Sequence, residues 1–157
     1  MATGYPGRSG GYQDRRDEAP RITISTADVR LKDIPKNLFS DIAKEKAATV
    51  AQAAQAHKKD VNKSTQLRKF YDELVMWFEK VHAERTPADR EAKYTEVAPF
   101  IQMLVAKVAY AKGREHVDEC FEQLFAHVVK EISDATTLKH AKLFMEAFMG
   151  FYKAQEK

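Results

Sequence analysis

Residues 64–81, STQLRKFYDELVMWFEKV, set Leu67, Phe70, Tyr71, Leu74, Trp77, Phe78 and Val81 at steps of three and four. That spacing puts all seven on one side of an α-helix. Large aromatics on that side promise more buried apolar area than any other segment offers. Arg68 and Lys69 begin the same helix but point off the stripe, towards water or a partner. The expected fold is therefore all-α: a compact bundle of about five helices, in which the others cover this side and leave a basic flank free.

The remaining segments supply those helices. Asp33-Ile34-Pro35 reads as a helix start with proline in the first turn, and the helix should run to about Lys59. Its second half, AATVAQAAQAH, is alanine-rich, which favours helix but offers little to bury. The stretch from Asp60 to Lys63 breaks it before the aromatic helix, which should end near Ala83. Thr86-Pro87-Ala88-Asp89 is a strong start signal, with Thr86 as cap and Asp89 near the positive end of the dipole. The helix that follows buries Tyr94, Val97, Ile101, Leu104, Val105 and Val108, and Pro99 should kink or split it near Ala98. Gly113 is expected to end it in a left-handed cap. A fourth helix buries Val117, Cys120, Phe121, Leu124, Val128 and Ile132. Ser133 or Asp134 caps a fifth, which carries Leu138, Ala141, Phe144, Met145, Phe148, Phe151 and Tyr152.

The N-terminal region differs. Residues 1–20 hold four of the six glycines and two of the five prolines, among alternating charges. Such a segment buries too little apolar surface to offset ordering, and it reads as a flexible tail. RITISTADVRL, from Arg21 to Leu31, alternates apolar and polar residues too briefly to found a sheet and reads as an extended arm that could lie against a neighbour. The expected division is a flexible or extended arm over residues 1–33 and a helical domain over 34–157.

Known catalytic constellations find no match. The chain has no glycine-rich phosphate loop, nucleophile elbow or Cys-x-x-Cys pair. Di-iron bundles need two Glu-x-x-His elements, and only Glu79 to His82 has that spacing. His116 and Cys120 stand four apart, but zinc sites use three or four ligands, so a half-buried histidine beside a core cysteine is the simpler reading. Neither catalysis nor a cofactor or metal is expected. The single cysteine fits a reducing compartment, no apolar run approaches ~18 residues, and the N-terminus lacks the apolar middle of a secretion signal. Those features suggest a cytoplasmic protein with no membrane partner.

Basic groups carry more information. They cluster at helix ends and junctions: Lys58, Lys59 and Lys63 at the first break, Arg68 and Lys69 just beyond, and Lys107, Lys112 and Arg114 around Gly113. Lys139 and Lys142 lie on the last helix, with Lys153 near its end. Surface chemistry alone accounts for some of this: Arg68 can pair with Asp72 and Lys69 with Glu73, one turn on. A net charge of +3 permits a polyanionic partner without requiring one, so position matters more than total.

Three motifs then appear in order: Thr65-Gln66-Leu67-Arg68-Lys69-Phe70-Tyr71, Val108-Ala109-Tyr110-Ala111-Lys112-Gly113-Arg114, and Leu143-Phe144-Met145-Glu146-Ala147-Phe148-Met149-Gly150-Phe151-Tyr152-Lys153. With their separations, they resemble the small helical subunit of type III-A CRISPR effector complexes, the Csm family, over roughly residues 35 to 155. The resemblance implies a non-catalytic helical bundle, present in several copies that stack along the guide RNA and target RNA. Its partners would be the RNA backbone, the repeated backbone subunits, the large subunit and further copies of itself. Arg68 and Arg114 fall on the basic positions of the first two motifs and would contact the nucleic-acid backbone; Lys69 and Lys112 fall where relatives vary. With Lys107 and Lys153 they form the candidate nucleic-acid-binding set. Here the last motif departs from the family's common Ala-Tyr-His-Lys ending and reads Gly150-Phe151-Tyr152-Lys153, which removes any role resting on the histidine and keeps Lys153. A helical adaptor that binds only protein is the alternative.

Overall fold

Capping chemistry fixes where most of the helices begin. The computed structural model describes residues 21–156, so the flexible tail expected over residues 1–20 lies outside the described residues. A wide π-type turn, Leu38–Ile42, leads into α1 (Ala43–Ala56). The others are α2 (Ser64–His82), α3 (Pro87–Gly113), α4 (Glu119–Glu131) and α5 (Ala135–Ala154). The Thr86 hydroxyl accepts the Asp89 N–H at 3.1 Å ahead of Pro87, and the Asp118 carboxylate accepts the Phe121 N–H at 3.1 Å. Asp134 and Thr137 form a reciprocal capping box. The fold is all-α as expected, with five α-helices and no strand among the described residues.

α5 packs against both α1 and α2, while α3 packs on α2 and α4. The largest fully buried apolar side chains are Phe121 and Phe125 of α4 and Phe144 and Phe148 of α5. The aromatic stripe of α2 is less deeply sunk than its composition promises. Only Leu67, Leu74 and Val81 are sealed; Phe70, Tyr71, Trp77 and Phe78 are half-buried. The reason is placement: α2 lies between α3 and α5, so only the line facing both neighbours is closed from water. Phe70 reaches inward to Phe125 at 5.3 Å, whereas Trp77 stacks at 6.0 Å on Phe100, which is itself exposed.

Three local expectations are corrected. The first helix stops at Ala56 rather than Lys59, because His57 already has extended backbone. Pro99 does not split α3, which runs unbroken; Pro99 is exposed, so the carbonyl left unbonded one turn earlier can turn towards water. Gly113 is not the left-handed residue at the end of α3. Glu115, at φ 58°, makes that turn two residues later.

Residues 21–31 form neither helix nor strand, turn at Ala27-Asp28 through the Val29 N–H to Thr26 carbonyl bond at 3.0 Å, and lie on the chain's own bundle, with Val29 and Leu31 fully buried. Two imidazoles hold them: His127 Nε2 lies 2.7 Å from the Val29 carbonyl and His140 Nδ1 2.8 Å from that of Leu31. A carbonyl only accepts, so each of those ring nitrogens carries the hydrogen. The Cys120 thiol donates to the Ile22 carbonyl at 3.3 Å. Lys46, 1% exposed, is neutralised by Asp28 at 3.0 Å.

Candidate nucleic-acid interface

One buried asparagine organises the end of the bundle where the basic motifs converge. Asn62 sits in the α1–α2 connection at φ 58°, a left-handed conformation that asparagine tolerates better than most residues. Its backbone N–H donates to the His116 carbonyl at 3.0 Å. Its side-chain amide donates to Asp118 Oδ1 at 2.7 Å, and its side-chain oxygen accepts the Asp118 N–H at 2.8 Å. The Tyr152 hydroxyl donates to the Asn62 carbonyl. The α1–α2 connection, the α3–α4 connection and the last turn of α5 are thereby tied at one point. Buried loop backbone must be hydrogen-bonded somewhere, and here one residue serves three segments.

This tie brings together side chains that lie far apart in sequence. Lys58, Lys59 and Lys63 come from the first connection, Lys112 and Arg114 from the end of α3, Lys153 from the end of α5, and Arg68 and Lys69 from the first two turns of α2. Lys107 lies two turns further from that end on α3. Of the candidate set, Lys69, Lys112 and Arg114 are exposed with no carboxylate partner among the described residues. The Arg114 guanidinium lies over the exposed Tyr110 ring, 6.0 Å from its centre. Arg68, also exposed, is 3.8 Å from Asp72, a loose one-turn pair. Lys153 pairs with Glu156 at 2.9 Å. The expected Lys69–Glu73 pair does not form: Glu73 faces α3 and binds Lys107 at 2.8 Å.

The local field is positive but partly answered. Lys59 pairs with Glu115 and holds that carboxyl below the usual range. Lys153, and after it Ser64, do the same for Glu156. Exposed pairs of this kind contribute little to stability, so an incoming phosphate can exchange for the carboxylate at small cost.

Burial of Asn62 was not legible from residue pattern; its signal, an asparagine between two helices where left-handed backbone suits it, is too common to single out. Tyr110 was legible in principle, since it falls off the Val97, Ile101, Leu104, Val108 line. His116 is exposed rather than half-buried, while Cys120 is buried and turned towards Ile22, so the two do not converge. Among the described residues no group of three His, Cys, Asp or Glu side chains could hold a metal, and no helix is long and apolar enough to cross a membrane.

Comparison with protein families returns a match between residues 39–157 and the family model Csm2 Type III-A. No curated protein and no solved structure matches the chain.

Proposed function

The chain belongs to the Csm2 Type III-A family and is thus a small subunit of a type III-A CRISPR effector complex; from that premise we propose that it holds RNA by its backbone at the basic end of the bundle. In this reading it is non-catalytic, and several copies stack along the guide RNA and its target. One observation carries the proposal: cations from three sequence-distant motifs are tied to one end by Asn62, and Lys69, Lys112 and Arg114 there lack carboxylate partners among the described residues. Guide-directed complexes leave sequence reading to base pairing, so a subunit of this kind needs only to recognise backbone charge and shape. A few contacts per copy bind weakly, and repetition along one RNA raises the effective concentration.

The test is charge reversal of two exposed residues, Arg68→Glu with Arg114→Glu. Far-UV dichroism and the melting temperature should stay as in the wild type, because neither side chain is in the core. RNA retention should fall, and the slope of log affinity against log salt should shrink by roughly 2, about one unit per lost phosphate contact. Unchanged retention would sink the proposal and favour the adaptor reading. That second reading draws on other exposed apolar side chains, Phe100 and Met103 of α3 and Met76 of α2, of the kind that protein neighbours cover.

A further inference from the structure

Between α2 and α5, at the same basic end, runs a groove with a cavity volume of about 370 Å³. Ser64, Thr65, Arg68 and Tyr71 form one wall, and Met149 and Lys153 part of the other. We propose that this groove takes one unpaired nucleotide of the bound RNA, with its base against Tyr71 and Met149 and its phosphate between Arg68 and Lys153. The inference rests on the RNA-holding reading and adds a base contact to it.

Three features favour a nucleotide. The volume lies at the small end of ligand sites, roughly 300–1,000 Å³, which suits a single nucleoside better than a larger ligand. The lining is apolar in its middle and cationic at its rim, matching a base joined to a phosphate. At the rim the start of α2 carries no side-chain cap, and Lys153 there already pairs with a carboxylate, that of Glu156, at 2.9 Å. The carboxylate on the groove wall, Glu146, is answered by Lys142 at 2.8 Å and does not repel the ligand strongly. Gly150 lies on the groove wall, and a β-carbon there would meet nothing within 4 Å, so a larger side chain has open space to occupy.

Gly150→Leu fills the groove and leaves every cation in place. It should also preserve the helix, since leucine is the better helix former. The probe is a short single-stranded RNA carrying one fluorescent purine analogue, titrated with the full chain. The wild type should change the analogue's fluorescence. Gly150→Leu should abolish that change and weaken binding by about five-fold or more, as loss of one stacked base does, with the salt slope unaltered. The same RNA annealed to its complement should show no difference between the two proteins. Wild-type-like binding by Gly150→Leu, or no fluorescence change with wild type at saturation, overturns the proposal. If Gly150→Leu is silent while the Arg68/Arg114 reversal releases RNA, the groove idea falls and the backbone reading stands; if both are silent, both fall.

Discussion

Replacing Asn62 with alanine should damage the fold and the basic end together, although it removes no charge. The side chain is 2% exposed and exchanges two good hydrogen bonds with Asp118, at 2.7 and 2.8 Å, plus a longer one to the Val50 carbonyl. Truncation strands the buried Asp118 N–H and one carboxylate lone pair, which costs about 1–3 kcal/mol. A left-handed alanine adds about 1 kcal/mol. The sum is about 3 kcal/mol, a large part of the ~5–15 kcal/mol that holds a domain together. Asn62→Gly loses the same hydrogen bonds without the backbone strain, so it should be less harmful by about 1 kcal/mol. Urea unfolding of the three proteins measures both differences. A loss below about 1 kcal/mol for Asn62→Ala would refute the claim that this residue ties the three segments. A glycine variant as unstable as the alanine variant would refute the part assigned to backbone conformation. With the tie loosened, RNA affinity should fall although Arg68, Lys69, Lys112 and Arg114 are untouched.

Phe121→Ala should cost about 3–5 kcal/mol, because its ring is fully buried against Phe70 and Phe125. Trp77→Ala should cost roughly half of that or less, its indole resting on an exposed ring; equal losses by urea unfolding would contradict the burial described for α2. Stability should also decline in alkali. Burial, with Asp118 nearby, pushes the Cys120 thiol from 9.0 up to about 11. Burial, with Glu156 nearby, pushes the Tyr152 phenol from 10.0 up to about 12. Both groups hold their protons more tightly when folded, so their contribution is complete below pH 9 and is lost as pH rises through the folded values. Urea midpoints should fall between pH 9 and 12, and Cys120→Ala with Tyr152→Phe should flatten that decline; an unchanged slope in the double variant refutes the assignment.

Helix number and order were legible because the apolar period and the Thr86 and Asp134 caps are local signals. Depth was less so. Periodicity names the side of α2 that faces the protein but cannot tell that α3 and α5 leave Trp77 at a seam. The arm from Arg21 to Leu31 could be told from the helices in sequence, yet its place on the bundle depends on His127, His140 and Lys46, about a hundred residues away in two of the three cases. The cations were visible one by one at helix ends. Their convergence was not, since it depends on two loops and a helix end closing on Asn62, and nothing local announces that contact.

The ion pairs also sort the candidate cations into those that can serve RNA and those that hold the fold. Arg68 meets Asp72 only at 3.8 Å and both are exposed, so release from that partner costs little, whereas a guanidinium on a phosphate gains paired charge-assisted hydrogen bonds. Lys107 differs. It crosses from α3 to Glu73 of α2 at 2.8 Å, and the second Glu73 oxygen is already buried without a partner. Drawing Lys107 towards RNA would break that contact, so in the proposed reading Lys107 turns to a phosphate less readily than Arg68 does. In that reading the phosphate contacts fall first to the exposed groups nearer Asn62, and a chain with a net charge of only +3 can present a concentrated positive end.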